Sequence, residues 1–168
     1  MGYTHLTDIS QFISPFAYAK SAGTWTPTLD SGLMLDVRTA AAASFVLGIP
    51  ICLPGSSIKL QGAKLISIDV YYLIETAAGT AFTTTLNLAT LKPHGSIPTT
   101  ASVPITLDAD HNTAAKCYTV KDHKLTCSID APFFPGNNQA LYLCLAVTAA
   151  ASTEFMNVGA VANFTLRL

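Results

Sequence analysis

Two stretches near the end of the chain decide the fold class: residues 141–147 read LYLCLAV and residues 161–168 read VANFTLRL. In the first stretch leucine or valine fills every odd-numbered position, and in the second an apolar residue fills every even-numbered position. Side chains that alternate with a period of two are typical of β-strands with one buried face. We expect these two strands to lie side by side and to form a sheet with which the rest of the chain pairs.

The same alternation recurs upstream, over residues 33–38, 45–51, 64–75, 82–91, 103–107 and 125–129. Within 64–75 it places Ile66 and Ile68 on the buried face and Leu65 and Tyr71 on the other face. The turn signal over 77–80 predicts that strand 82–91 returns beside strand 64–75 as its hairpin partner. Pro104 predicts an edge strand or a bulge because proline cannot donate a ladder hydrogen bond.

Eight or nine such strands, with essentially no amphipathic helix, predict an all-β fold of two packed antiparallel sheets. Eight strands of this length favour a jelly roll. An immunoglobulin-like sandwich is the second choice, since it usually needs fewer residues and this chain lacks the Cys-Trp-Cys arrangement. The 168 residues suffice for one domain. We expect an extended N-terminal arm over residues 1–30 and the jelly-roll β-sandwich domain over residues 31–168.

The composition indicates a surface that is short of charge. Hydrophobic residues make up 50% of the chain, charged residues only 11%, and the mean hydropathy is +0.41. An ordinary soluble domain carries about 25% charged residues. Strand faces that should meet water are then covered by Thr, Ala, Ser and Tyr, and such faces tend to associate. We therefore expect an oligomeric protein whose outer faces are covered by its own copies or by partners.

The charge pattern argues against two classes of partner. The net charge is −1 with a pI of about 6.4, and no run of Lys or Arg is present. Nucleic acids and anionic membranes are both recognised by clustered positive charge, so neither is expected. Residues 1–8 lack the basic and apolar regions of a secretory signal, and the apolar runs 45–53 and 140–151 are short and interrupted. We expect a soluble protein without a secretion signal.

The four cysteines do not form a metal or redox motif, because no C-x-x-C spacing occurs. Cys52, Cys127 and Cys144 lie among apolar residues, where a free thiol behaves as a small hydrophobic group. Buried thiols are the main expectation. A bridge between Cys117 and Cys127 stays open, since a hairpin could bring the two together.

One cluster has the chemistry of a metal site. A loop could bring together two or more carboxylates and two imidazoles, as a calcium or transition-metal site needs, and its residues are Asp108, Asp110, His111, Asp122 and His123. Their spacing matches no metal motif, and such residues are equally common in turns. Both interpretations stay open.

The sequence does not indicate an enzyme. Hydrolysis requires a nucleophile with its base or a pair of facing carboxylates. The motif Gly-x-Ser-x-Gly is absent, and the carboxylates fall mainly at the predicted strand ends. We expect no catalytic residues and no cofactor.

A subunit interface is expected on the less apolar strand faces. Tyr71 and Tyr142 occupy such faces, together with Leu65 and Leu73. Side-by-side packing of sandwiches around a three-fold axis would hide them, so these residues are predicted to lie at or near the interface of a trimer. Trp25 is interpreted as a lid on one end of the sandwich, as an anchor into a neighbouring subunit, or as a sugar-stacking residue.

Residues 60–72 (LQGAKLISIDVYY), the Thr-rich strand that follows and residues 159–166 (GAVANFTL) resemble the small jelly-roll structural proteins of tailed-phage or related virions. Those proteins are capsid decoration proteins and tail-fibre or spike heads, typically trimers. The resemblance implies a structural subunit of a virion whose N-terminal arm docks on a capsid, tail or neighbouring particle protein. It carries no catalytic residues.

The alternative function is a carbohydrate- or receptor-binding jelly-roll module. Such a module needs exposed aromatic side chains on one concave face or at loop tips, where they contact a glycan. The candidate residues are Trp25, Tyr118, Phe133 and Phe134.

Overall fold

A computed structural model of the chain describes residues 6–52, 62–92, 97–133 and 138–167. Within these ranges a 3-10 turn covers Pro15–Ala17 and one α-helix, α1, covers Ala114–Cys117. No helix among the described residues is long and apolar enough to cross a membrane. The described strands are β1 (Leu6–Ile13), β2 (Ala19–Lys20), β3 (Trp25–Asp30), β4 (Leu33–Arg38), β5 (Ser44–Ile51), β6 (Gly62–Glu75), β7 (Ala81–Thr90), β8 (Thr99–Val103), β9 (Ile105–Leu107), β10 (Lys121–Phe133), β11 (Gln139–Thr148) and β12 (Glu154–Arg167).

The strands form two antiparallel sheets that pack face to face. The larger sheet has the order β3-β4-β12-β6-β10-β9, with β1 also paired to β12, and the smaller sheet has the order β2-β5-β11-β7-β8. Without the short or peripheral strands the orders are β4-β12-β6-β10 and β5-β11-β7-β8. Strands that alternate between the sheets in this way have the connectivity of two interlocked Greek keys. The predicted all-β sandwich with about eight jelly-roll strands is confirmed.

Two predicted pairings are wrong, and the same kind of connection explains both. β6 and β7 lie in different sheets, as do β11 and β12, so neither pair forms a hairpin. The connections over residues 76–80 and 149–153 cross from one sheet to the other. Hydrogen bonds join these two connections at one end of the sandwich. The Thr80 amide donates to the Thr148 carbonyl at 2.8 Å, and the Thr153 hydroxyl donates to the Ala78 carbonyl at 3.1 Å.

The core between the sheets is built by the inward positions of the long strands. In β5 and β11 the alternation is regular, so Leu47 and Leu145 are inaccessible to solvent. Four aromatic rings cross the core from sheet to sheet. Phe45 contacts Phe155 at 5.4 Å between ring centroids, Phe155 stacks on Tyr72 at 5.1 Å, and Tyr72 stacks on Phe82 at 5.5 Å. We call these four rings the aromatic spine.

A β-bulge in β6 reverses the predicted orientation of two neighbouring residues. Ser67 pairs with Asn163 and Leu65 pairs with Phe164, so Ile66 is the extra residue in the ladder. Leu65 consequently points into the core and is 0% exposed, while Ile66 is 38% exposed. The prediction that Leu65 lies at a subunit interface is wrong, because its side chain is already buried within its own domain.

The described part of residues 1–30 is extended chain, as expected of the arm, but it pairs within the two sheets. β1 pairs with β12 over eight residues, β2 pairs with β5, and β3 forms a hairpin with β4. Docking of this segment on another protein stays a prediction. Pro104 lies between β8 and β9, which are edge strands of opposite sheets, in agreement with the predicted edge position.

Neighbouring substitutions on β5 test the inward and outward assignment. Leu47→Ala removes a fully buried side chain and should lower the free energy of unfolding by about 2–5 kcal/mol. Val46→Ala, on the outer face of the same strand, should change it by less than about 0.5 kcal/mol when both variants are measured at a protein concentration low enough for the chain to be monomeric. Urea titrations followed by the fluorescence of the single tryptophan measure both. Equal costs for the two variants would contradict the assigned faces.

Candidate functional site

The outer face of the smaller sheet carries no charged side chain among the described residues. Its rows follow from the register across β5, β11 and β7, and all its members are exposed or half-buried. Lys20 is the one charged residue in the strands of this sheet, and it forms an ion pair with the buried carboxylate of Asp36. We call this surface the uncharged face; it consists of Ser44, Val46, Gly48, Pro50, Ala81, Thr83, Thr85, Asn87, Ala89, Ala140, Tyr142, Cys144, Ala146 and Thr148.

The outer face of the larger sheet is different, because it mixes charged and polar side chains. Asp69 of β6 accepts a hydrogen bond from Thr126 at 2.7 Å and pairs with Lys124 at 3.3 Å. Asp8 of β1 accepts a hydrogen bond from Thr165 at 3.0 Å. The few charges of this chain are therefore distributed unequally between the two outer faces.

The residues predicted at a subunit interface do not form one patch. Tyr142 is 40% exposed at the centre of the uncharged face. Tyr71 and Leu73 are half-buried on the outer face of the larger sheet, on the other side of the sandwich. The uncharged face was missed as a unit because period-two alternation does not reveal which strands share a sheet.

Trp25 covers one end of the core. Its indole Nε1 donates to the Ala22 carbonyl at 3.0 Å, and its ring meets Phe45 edge-on at 5.5 Å between centroids. The Lys20 ammonium lies 5.3 Å from the centre of the ring. These contacts are those of the predicted lid, and a role in contacts between subunits stays a prediction.

The aromatic residues proposed for glycan contact do not form an exposed platform in the described chain. Trp25 and Tyr118 are both half-buried and pack against the core. The Phe133 side chain and Phe134 lie outside the described residues, so this set stays a prediction.

The structure brings together three of the five residues predicted as metal ligands, and they bond to one another. Asp108 Oδ1 lies 2.8 Å from His111 Nδ1, His111 Nε2 lies 3.0 Å from His123 Nδ1, and His123 Nε2 lies 2.9 Å from the Thr119 carbonyl. Asp110 and Asp122 are exposed. Among the described residues no group of three or more His, Cys, Asp or Glu is arranged to hold a metal ion.

We call Asp108, His111 and His123 the histidine chain. Hydrogen bonds occupy every ring nitrogen of its two histidines. The Thr119 carbonyl only accepts, so His123 Nε2 must carry a proton, and the Asp108 carboxylate only accepts, so His111 Nδ1 must carry one too. His111 Nε2 and His123 Nδ1 are hydrogen-bonded to each other. All four ring nitrogens are engaged, so none has a lone pair for a metal.

The groups around the histidine chain disfavour protonation of His123 and favour the ionised form of Asp108. Burial lowers the pKa of His123, and the neighbouring charges of His111 and Lys121 lower it further, against the Thr119 carbonyl and Asp122. Burial alone would raise the pKa of Asp108, but the amides of Thr126 and Asp110, together with His111, outweigh burial and lower it. The His123 ring stacks on Tyr72 at 4.6 Å between centroids, which ties the chain to the aromatic spine.

The cysteines are free thiols, and the possible Cys117–Cys127 bridge is not formed. Burial raises the pKa of Cys117 to about 11 and that of Cys127 to about 12, so both are protonated near neutral pH. Cys52 is exposed, contrary to the expectation of a buried thiol, because it follows the last residue of β5.

Comparison with known proteins does not assign this chain to a family. No family model matches the chain, and no curated protein matches it. A carbohydrate esterase of the Shiga toxin-encoding bacteriophage phi24B is similar at a TM-score of 0.42 and 15% identity, over 90% of this chain and 91% of that one. A xylanase 10B fragment of Clostridium thermocellum is similar at 0.41 and 10%, over 99% of this chain and 29% of that one. The tailspike protein 4 of bacteriophage CBA120 is similar at 0.30 and 10%, over 97% and 19%. Similarities at these scores support no functional conclusion.

The histidine chain predicts a loss of stability in mild acid. Because the pKa of His123 is lowered by folding from 6.5, its contribution is complete above pH 6.5 and is lost as the pH falls below that value. The lowered pKa of Asp108 adds a second loss below its ordinary value of 3.8. Urea unfolding of the wild type at a series of pH values should therefore show stability falling between pH 7 and pH 5.

A phenylalanine at position 123 keeps a ring against Tyr72 but cannot titrate. His123→Phe should cost about 1–3 kcal/mol at pH 7, since it leaves His111 and Thr119 without their partner. Its stability should then change less with pH between 7 and 5 than that of the wild type. Leu47→Ala, which is also destabilised but removes no titratable group, is the control and should keep the wild-type slope. A wild-type slope in His123→Phe would contradict the assignment.

Proposed function

We propose that this chain is a non-enzymatic structural subunit that associates with copies of itself through the uncharged face, as part of a virion or a similar particle. The observation that supports this proposal is the absence of charge from the described outer face of the smaller sheet. Subunit interfaces are depleted of charged residues at their centre, whereas outer faces that stay in water usually carry them.

Association through this face involves little desolvation of charge. An ion that is buried without a good partner costs several kcal/mol, and this face contains none. Val46, at 39% exposure, and Tyr142, at 40%, supply most of the large apolar contact. The small side chains around them, such as Gly48 and Ala146, leave a smooth surface on which a second sheet can pack.

A closed trimer that acts as a capsid decoration protein, or as a tail-fibre or spike head, is the form that we propose. A closed symmetric assembly buries the uncharged face without leaving it open to further association. Docking on a capsid, tail or other particle protein requires a second surface. The tip of the β3–β4 hairpin supports this part of the proposal, because Leu29 is 67% exposed and Met34 51% exposed.

A charge placed in the middle of the uncharged face tests self-association. Ala146 is exposed on β11 and lies between Val46 and Thr83 in the register. Ala146→Lys should weaken self-association at least tenfold, since the new ammonium would be buried without a partner. Sedimentation velocity over a range of micromolar concentrations measures the change.

Ser128→Lys on the outer face of the larger sheet is the matched control and should keep the wild-type assembly. Far-ultraviolet circular dichroism of both variants shows whether they fold. A wild-type protein that is a stable monomer, or an Ala146→Lys variant that assembles like the wild type, would contradict the proposal.

A further inference from the structure

A row of small polar side chains crosses the outer face of the larger sheet on five adjacent strands. Each member is paired in register with the next, so the row is perpendicular to the strands. Strands lie about 4.8 Å apart, and the row therefore extends about 19 Å. We call it the polar row; it consists of Ser10 (β1), Asn163 (β12), Ser67 (β6), Ser128 (β10) and Thr106 (β9).

Three members at one end of the polar row are held in one orientation by hydrogen bonds to one another, while Thr106 at the other end donates to Asp130 at 2.6 Å. The Ser10 hydroxyl donates to Asn163 Oδ1 at 2.7 Å, and Asn163 Nδ2 donates to Ser67 Oγ at 3.1 Å. The amide of Asn163 is thereby fixed, and its oxygen keeps a second lone pair. Because Ser67 Oγ accepts in this contact, its own proton remains able to donate. The row thus presents both acceptors and donors in fixed positions.

One exposed aromatic ring, that of Phe12, lies beside the polar row on the same face. Phe12 is 64% exposed, although its ring is held close to the sheet. Its Cε2 and Cζ atoms lie 2.7 Å and 2.8 Å from the position that a Cβ of residue 159 would occupy, so only glycine leaves room for the ring. Tyr71 pairs with Gly159 and lies farther along β6, with Asp69 between it and the polar-row residue Ser67 on this face. Tyr71 is itself half-buried under the Lys124 ammonium, 5.8 Å from its centre.

The surface is concave at one end of the polar row. A hollow of about 420 Å³ is lined by Asp8, Ser10, Ile66, Asn163 and Thr165, among others. The β1 strand forms one wall, and the outward-turned bulge residue Ile66 contributes another part of the lining. A chain-like ligand that follows the polar row would therefore have an end seated in this hollow.

We infer that this face binds a linear neutral oligosaccharide. Sugar rings combine apolar C–H faces, which pack on aromatic side chains, with hydroxyls that both donate and accept hydrogen bonds. Phe12 offers the aromatic contact, and the polar row offers hydrogen bonds along a length that suits several sugar units. The row itself contains no charged side chain, and the Asp69 carboxylate beside it is already paired with Lys124, so the row offers hydrogen bonds to a neutral sugar and no free cation to an acidic one. The site lies opposite the uncharged face and does not depend on self-association.

Binding is tested with the full chain on an array of neutral and acidic glycans, followed by titration calorimetry with neutral hexasaccharides of glucose, xylose, mannose and N-acetylglucosamine. We expect binding to at least one neutral linear hexasaccharide. Phe12→Ala should weaken it about tenfold, because an aromatic contact is lost. Asn163→Ala should weaken it by a similar factor, and Phe12→Trp should retain it.

Tyr142→Ala is the matched control, since it removes another exposed aromatic ring, 40% exposed against 64% for Phe12, from the opposite face. It should bind like the wild type, as should Ala146→Lys even if that variant is monomeric, which separates this inference from the proposed self-association. Circular dichroism and unfolding midpoints identify any variant that fails to fold. The inference is overturned if no neutral glycan binds, if only acidic glycans bind, or if folded Phe12→Ala and Asn163→Ala variants bind like the wild type.

Discussion

The aromatic spine is the contact on which the rest of the structure depends, because it joins the two sheets at the centre of the sandwich. Phe45 and Phe82 belong to the smaller sheet, whereas Phe155 and Tyr72 belong to the larger one. The Tyr72 hydroxyl also donates to the Cys117 carbonyl at 2.6 Å, which fixes α1 to the sheet. Because the inner faces of both sheets are buried in this core, only the two outer faces, the sheet edges and the loops are left to bind other molecules.

The two outer faces differ in the charged side chains that they carry. On the larger sheet the few charged side chains are paired with neighbours, as Asp69 is with Lys124 and Thr126, and a network of polar contacts covers the face. On the smaller sheet no described outward side chain is charged. Water hydrates the charged and polar side chains of the first face more strongly than the uncharged side chains of the second. We propose from this difference that the first face binds a polar ligand and that the second contacts another protein surface.

The sequence predicted most of the core strands and most of the side chains that face the core, since burial of one face imposes the period of two. It did not predict β1 or the part of β10 before Leu125. It did not predict which strands are neighbours. A turn such as residues 76–80 can close a hairpin or cross to the other sheet, and the local residues are compatible with both. The bulge at Ile66 was also hidden, because both Leu65 and Ile66 are apolar and either could face inward. That single insertion reversed the prediction for Leu65.

The candidate sites were harder to predict than the fold, because they depend on register between distant strands. Ser10 and Asn163 lie 153 positions apart in sequence yet share a 2.7 Å hydrogen bond. The histidine chain was partly predicted, since Asp108, His111 and His123 share a short segment. Its hydrogen-bonding pattern was not, because it depends on where the fold places Asp108 and the Thr119 carbonyl beside the two rings.

Hydroxyl-radical footprinting of the wild-type protein as a function of concentration is a direct test of self-association through the uncharged face. Tyr142 lies on the uncharged face and Phe12 on the opposite face, and both are well exposed in a single chain. If copies associate through the uncharged face, oxidation of Tyr142 falls as concentration rises, while oxidation of Phe12 stays constant. Oxidation of Tyr142 that does not change with concentration, or protection of Phe12 instead, would contradict the account.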